Sequence, residues 1–130
     1  MSTKLKVLAV DDDESIRELY DSMLAQLGFD PILARSAAEA RKLLKKDLPS
    51  VILMDIMMPD EDGIGFASEI HGDPKTSSIP IVAVTGLSDP ATLNDALLFG
   101  MSDYVVKPFD LHTLKAAVEK ALSLAERRKP

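Results

Sequence analysis

Five short runs of apolar residues divide the sequence, and a segment with helical periodicity follows each of them. Most of the runs are continuous rather than alternating, a pattern typical of strands that are buried on both faces. A parallel β-sheet covered by helices buries its strands in this way. We therefore expect parallel strands at Lys6–Val10, Pro31–Ala34, Val51–Met54, Ile81–Val84 and Tyr104–Val106.

The segments between the runs carry the start and stop signals of helices. Ser36 and Glu39 form a capping box, and Asp110 is a good N-cap for the last helix. Strands that alternate with helices through right-handed crossovers predict an α/β fold, a three-layer α/β/α sandwich. The predicted helices run from Glu14 to Gln26, Ser36 to Lys46, Ile64 to His71, Ala91 to Phe99 and Leu111 to Ala125.

The acidic balance of the chain narrows the classes of function. The 130 residues include 21 acidic and 15 basic side chains, so the formal net charge is −6, and cysteine is absent. This composition excludes cysteine-based zinc or redox chemistry and argues against direct binding of nucleic acid or an anionic membrane. No apolar run approaches the ~20 residues of a membrane span, and the N-terminal run is too short for a signal peptide. We therefore expect a cytoplasmic setting.

Polar and charged residues stand where the predicted strands end. In an open parallel sheet, ligands bind beyond the carboxyl ends of the strands, so these residues should share one rim. Asp13 has a simpler expected role as the N-cap of the first helix. The residues expected at the rim are Asp11 and Asp12 after the first strand, Asp55 after the third, Thr85 and Gly86 after the fourth, and Lys107 and Pro108 after the fifth.

Three carboxylates at one rim repel one another unless their pKa values rise or a cation binds between them. Asp55 lies within the apolar stretch VILMDIMMP, so its carboxylate needs a partner if it is buried. Magnesium is typically held by one or two carboxylates together with waters and a phosphate oxygen. Because the carboxylates come together with the Lys107 ammonium and the Thr85 hydroxyl, the rim predicts a Mg²⁺ site beside an anionic group.

Four motifs stand at four strand ends, VDDDES, MDIMMPDEDG, AVTG and DYVVKPF, and together they resemble the receiver domain of two-component response regulators. The resemblance implies a flavodoxin-like (βα)5 fold with strand order 2-1-3-4-5. It implies a single receiver domain over residues 1–130, with its core at about 5–124. It also implies a signalling switch rather than an enzyme, phosphorylated by a histidine kinase or histidine phosphotransfer protein and read by a downstream protein target or output domain.

The resemblance assigns a role to each matching residue. Asp55 resembles the phosphoacceptor, while Asp12 resembles a direct ligand of Mg²⁺, or alternatively Mn²⁺, and Asp11 a ligand through water. The switch would act on a face formed by the fourth helix, the fifth strand and the fifth helix. The implied site residues are Asp11, Asp12, Asp55 and the backbone carbonyl of Met57 for the metal, Thr85, Gly86 and Lys107 for the phosphoryl group, Pro108 as a cis-proline, and Thr85 with Tyr104 as the switch.

Other classes of function remain open. An interaction domain with the same fold but without phosphorylation is one alternative. A metal-dependent phosphatase with an Asp nucleophile is another, although such enzymes normally carry a carboxylate two residues on, where Met57 stands. In the family that the motifs resemble, polar side chains at the positions of Met57 and Leu87 tend to promote hydrolysis of the acyl phosphate. Both residues are apolar here, so the resemblance implies a long-lived acyl phosphate. Met54, Met57 and Met58 are expected to be packing residues.

Overall fold

Strands and helices alternate along a computed structural model of the chain, which describes residues 4–59, 61–86, 90–98 and 100–128. The strands lie close to their predicted positions, and each of the five predicted helices is present. The elements are β1 (Lys6–Val10), α1 (Glu14–Gln26), β2 (Asp30–Ala34), α2 (Ala37–Lys46), β3 (Val51–Asp55), α3 (Gly63–Gly72), β4 (Ile81–Thr85), α4 (Pro90–Leu98), β5 (Asp103–Val106) and α5 (Leu111–Arg128).

The five strands form one parallel sheet in the order β2-β1-β3-β4-β5, which confirms the predicted fold and strand order. The chain leaves β1 for the β2 edge and then returns to place β3 on the other side of β1. This reversal makes the boundary between β1 and β3 the switch point of the sheet, where side chains at the carboxyl ends of the strands border an open crevice.

Apolar side chains cover both faces of the sheet, as the continuous runs predict. On one face, Leu8 and Ile52 pack with residues of α2, α3 and α4, such as Phe66. On the other face, Val7 and Leu53 pack with residues of α1 and α5. The two edge strands are less buried than the central ones. In β5, Val105 packs with α1 and α5 residues, whereas Tyr104 and Val106 point to the opposite face and are exposed.

Four strands are one residue longer than predicted: β2 and β5 begin one residue earlier, at Asp30 and Asp103, and β3 and β4 end one residue later, at Asp55 and Thr85. The sheet register continues through Asp55 opposite Val84 and through Thr85 opposite Val106. A polar residue at a strand end can still pair its backbone, so a pattern of apolar side chains underestimates the length of the strand. Asp55 and Thr85 are therefore held by the sheet itself rather than by a loop.

The helix ends follow the predicted caps. Asp13 accepts hydrogen bonds from Ser15 and Ile16, and Ser36 accepts one from Glu39. Asp110 accepts one from the backbone of Thr113, 2.8 Å away. The predicted end of the fourth helix at Phe99 lies outside the described residues. Among the described residues, no helix is both long and apolar enough to cross a membrane.

Candidate functional site

The sheet brings the predicted rim residues together from distant parts of the sequence. Asp11 directly follows β1, Asp55 ends β3, and Lys107 directly follows β5. The Nζ atom of Lys107 lies 2.8 Å from Oδ2 of Asp11 and 3.4 Å from Oδ2 of Asp55. The predicted convergence of these side chains is therefore observed, across separations of 96 and 52 residues.

Asp11, Asp12 and Asp55 form a compact group of carboxylates. One oxygen of each lies within 4.8 Å of the others, although Asp11 is fully buried, Asp55 is 5% exposed and Asp12 is exposed. Oxygens bound to one Mg²⁺ are about 3–4 Å apart, given a metal–oxygen distance of about 2.1 Å. Small side-chain movements would therefore let this all-oxygen set bind a hard divalent cation, which fits the donor chemistry that Mg²⁺ prefers.

Asp55 is held from two sides. Its Oδ1 atom accepts a hydrogen bond of 3.0 Å from the backbone amide of Met57, and its Oδ2 atom faces Lys107. Burial raises the pKa of Asp55, and the neighbouring Asp11 adds to this rise, while Lys107 and the Met57 amide oppose it. Lys107 and the Met57 amide thus compensate the negative charge of Asp55 only in part, which favours the binding of a further positive charge.

Lys107 is the cation of this rim. Its burial alone would lower the pKa, but the hydrogen bond from its ammonium to Asp11 and the charges of Asp55 and Asp11 together raise it. The ammonium is therefore firmly protonated at neutral pH. Three carboxylates and one ammonium leave the group with a negative formal charge that a divalent cation can neutralise.

Asp11 is the most constrained of the three acids. Its Oδ2 atom accepts from Lys107 and its Oδ1 atom accepts from the Asp13 amide at 2.9 Å. Its backbone carbonyl accepts from Arg17 Nη1 at 2.8 Å, a contact that sequence reasoning missed. Both carboxylate oxygens of Asp11 are thus already engaged, whereas the exposed Asp12 is open to solvent.

The remaining predicted residues lie at or near the same rim. Thr85 is fully buried at the end of β4, and its carbonyl accepts a 2.7 Å hydrogen bond from the Lys107 amide. The Lys107–Pro108 peptide bond is cis, as the resemblance implied. Gly86 is exposed directly after Thr85. Tyr104, three residues before Lys107, is 39% exposed.

Two features differ from the sequence-based picture. Met54 and Met58 are buried packing residues as expected, but Met57 is 62% exposed, so its assignment to packing was wrong. The turn after β3 directs this side chain outward, while its amide binds Asp55. Gly63 was also missed, because a Cβ atom there would lie 2.2 Å from the carbonyl oxygen of Asp55. The motif contains this glycine, but only the packing reveals what it contacts.

Comparison with known proteins identifies the family. The family model described as the response regulator receiver domain matches residues 7–119. The chain therefore belongs to the family of response regulator receiver domains, in agreement with its fold and with the resemblance of its motifs.

Curated relatives and solved structures agree with this family. The probable transcriptional regulator ycf27 of Guillardia theta is 40% identical over 122 residues, which are 94% of this chain and 47% of the relative. The regulatory protein AtoC of Escherichia coli (strain K12) is 35% identical over 95% of this chain and 26% of its own length. The chemotaxis protein CheY4 of Vibrio cholerae has a TM-score of 0.88 and 29% identity, covering 92% of this chain and 100% of that structure.

The chain spans about half the length of the ycf27 relatives or less. Several relatives are named transcriptional regulators, so the expectation of no direct contact with nucleic acid applies to these 130 residues and stays a prediction.

Proposed function

We propose that the chain is a phosphorylation-dependent switch, in which Asp55 accepts a phosphoryl group from a phosphohistidine of a histidine kinase or histidine phosphotransfer protein. The observation that carries this proposal is the position of Asp55 at a strand end, beside two further carboxylates and 3.4 Å from the Lys107 ammonium. The switch would act by binding a downstream protein target or output domain.

The proposed reaction is a phosphoryl transfer between two protein side chains. A carboxylate oxygen of Asp55 bonds to phosphorus as the bond from phosphorus to the histidine nitrogen breaks. The electron pair of that bond leaves with the imidazole, which takes up a proton, and Asp55 becomes an acyl phosphate. Catalysis of such transfers consists mainly of positioning and charge neutralisation, which are the tasks that the rim can perform.

Each rim residue has a task in this proposal. Bound Mg²⁺, or alternatively Mn²⁺, would supply charge neutralisation, and its proposed ligands are Asp12, Asp55, the backbone carbonyl of Met57 and, through water, Asp11. Lys107 supports the proposal because its protonated amine already contacts the acceptor carboxylate. Thr85 and Gly86, at and after the end of β4, are the proposed donors to the phosphoryl oxygens together with Lys107.

The output is proposed to pass through Thr85 and Tyr104 to the face formed by α4, β5 and α5. Phosphorylation adds about −1.5 to −2 charges and new acceptor oxygens at the rim, which can draw in a hydroxyl donor. Tyr104 lies on β5 with its side chain partly exposed, so it has room to change position. Leu97, Leu98 and Val106 are exposed apolar side chains on the same face, which suits a protein partner.

The alternatives are less well supported. An interaction domain without phosphorylation would have no need for a buried, incompletely compensated Asp55. A phosphatase would need a carboxylate where the exposed Met57 stands.

The proposal includes a long-lived acyl phosphate. The apolar Met57 supports this part of the proposal, while Leu87, the second position concerned, lies outside the described residues. A single domain over residues 1–130 and a cytoplasmic setting are part of the proposal.

Asp55→Asn tests the proposed function. The purified chain is incubated with acetyl phosphate and Mg²⁺, and intact mass spectrometry measures the phosphorylated fraction. We expect labelling of the wild-type chain and none of Asp55→Asn, because an amide cannot form the acyl phosphate. The matched control is Asp13→Asn, which keeps the N-cap of α1 because Asn caps a helix as well as Asp. Labelling of Asp55→Asn to the wild-type extent would refute the assignment.

A further inference from the structure

Arg41 on α2 binds two glutamates that lie 20 and 28 residues farther along the chain, one before α3 and one within it. Its Nη1 atom donates a 2.9 Å hydrogen bond to Oε1 of Glu61, and its Nη2 atom donates to Oε2 of the same carboxylate. Its Nε and Nη2 atoms donate to Glu69 on α3, each at 2.8 Å. One guanidinium group therefore binds two carboxylates in bidentate fashion, the geometry that makes arginine–carboxylate pairs strong.

The guanidinium group is also held by an aromatic ring. Its central carbon lies 4.7 Å from the ring centroid of Phe66, which is 1% exposed and belongs to the core. A cation stacked on an immobile ring loses orientational freedom even before it binds a carboxylate. The hydrogen bonds that Arg41 donates to Glu69 and Glu61 raise its pKa, as expected for charge-assisted bonds.

Glu61 lies in the connection between β3 and α3, which also contains Met57. Met57 and Asp62 form an isolated antiparallel bridge, and the Gly63 amide donates to the Ile56 carbonyl at 3.0 Å. The two sides of this turn are thus hydrogen-bonded to each other. Because Glu61 directly precedes Asp62, a contact that holds Glu61 in place also restrains the bridge between Asp62 and Met57.

We propose that Arg41 is a positioning residue for the phosphorylation site, because its clamp on Glu61 fixes the turn that presents the Met57 backbone to the metal. The inference rests on the proposed function, in which the Met57 carbonyl is a metal ligand. Among the described residues, the side-chain hydrogen bonds of Arg41 go to Glu61 and Glu69 and not to the rim, so its proposed effect passes through Glu61. Glu69 provides an internal comparison, since it binds the same guanidinium group but lies on α3, away from the turn.

The test compares Glu61→Gln with Glu69→Gln and Arg41→Ala in the full chain. Isothermal titration calorimetry measures Mg²⁺ affinity, and labelling with acetyl phosphate over a Mg²⁺ series separates the half-saturating concentration from the maximal rate. We expect Glu61→Gln and Arg41→Ala to weaken Mg²⁺ binding about tenfold, or about 1.4 kcal/mol, near the lower end of the effects seen for outer-shell groups. Glu69→Gln should stay within about twofold of the wild type.

Charge alone would give a different pattern. Removing the negative charge of Glu61 should weaken cation binding at the rim, whereas removing the positive charge of Arg41 should strengthen it. Positioning predicts that both variants weaken binding, so the sign of the Arg41→Ala effect separates the two causes. If Arg41→Ala fails to fold, Arg41→Lys replaces it, because a lysine removes the bidentate fork while keeping the charge.

The outcomes distinguish this inference from the proposed function. Wild-type affinity in Glu61→Gln, or an equal loss in Glu69→Gln, would overturn the positioning role while leaving Asp55 as the phosphoacceptor. A wild-type chain that neither binds Mg²⁺ nor becomes labelled would overturn both. Weaker binding in Glu61→Gln and Arg41→Ala, with Glu69→Gln unchanged, supports the inference.

Discussion

At the scale of single residues, Asp55 carries its negative charge at a cost in folding free energy. Burial raises its pKa above the ordinary carboxyl value, with Asp11 adding to the effect. The folded chain therefore binds a proton on Asp55 more tightly than the unfolded chain does. By linkage, the stability that this proton supplies is present below the ordinary pKa and is lost as the pH rises through the raised pKa of the folded state.

Replacing Asp55 by Asn should remove this loss of stability at rising pH in the metal-free protein. We expect Asp55→Asn to unfold at a higher temperature than the wild type at pH 7 in EDTA, and the difference should shrink as the pH falls toward about 4, near the ordinary carboxyl pKa. Thermal unfolding monitored by circular dichroism across that range measures it. Asp21→Asn, an exposed change on α1, is the control and should have little effect. A lower melting temperature for Asp55→Asn at pH 7 would contradict the expectation.

At the scale of elements, α3 begins in direct contact with the end of β3. A Cβ atom on Gly63 would lie 2.2 Å from the Asp55 carbonyl oxygen and 2.8 Å from Cα of Ile56. Both of these are backbone atoms of the segment that carries Asp55, so they cannot move aside as a flexible side chain would. The close approach of helix and strand therefore depends on the absence of a side chain at this position.

Gly63→Ala should separate α3 from β3 and disturb the site. Overpacking of this kind costs about 1–3 kcal/mol, so we expect a lower free energy of unfolding together with weaker Mg²⁺ binding. Urea unfolding and calorimetry measure the two effects. Gly65→Ala is the matched control, because a Cβ atom there meets only Oδ2 of Asp62 at 4.0 Å. The control should leave stability unchanged or raise it by up to about 1 kcal/mol. Equal stability of the two variants would contradict the role of Gly63.

At the scale of the whole molecule, the order of the strands determines where charge accumulates. Because β1 and β3 are neighbours and β5 lies two strands beyond β3, residues at the carboxyl ends of three separate strands meet at one rim. The rim contains Asp11, Asp12, Asp55 and Lys107, so its acids outnumber its cation. The metal-free fold therefore holds repulsive charge that a divalent cation should relieve.

Mg²⁺ should stabilise the whole fold, and its removal should reverse the effect. A ligand at 100 times its dissociation constant adds about 2.7 kcal/mol to the free energy of unfolding when it binds only the folded state. Chemical unfolding with increasing Mg²⁺, followed by addition of EDTA, measures this increment. Asp12→Asn should lose most of it, whereas Asp13→Asn should keep it because Asp13 caps α1. A wild-type stability independent of Mg²⁺ would argue against the site.

The fold was predictable because its signals are local. Continuous apolar runs identified all five strands, and Asp13, Ser36 and Asp110 marked helix starts that the structure confirms. The errors in the strands fell at their ends, where polar residues continue the sheet through their backbones: Asp30 and Asp103 at the start of β2 and β5, and Asp55 and Thr85 at the end of β3 and β4. An apolar pattern cannot report a pairing that the backbone makes.

The sequence by itself determined the class of fold, its family and the residues at the carboxyl ends of the strands. Those properties depend on periodicity and on motifs, which are written within short stretches of chain. Only the tertiary structure decided that Asp55 is incompletely compensated, that Gly63 touches its backbone, and that Arg41 binds Glu61 and Glu69. The contacts of Arg41 join residues 20 and 28 positions apart, and the contact of Lys107 with Asp55 joins residues 52 positions apart. Their geometry arises from the packing of helices against the sheet.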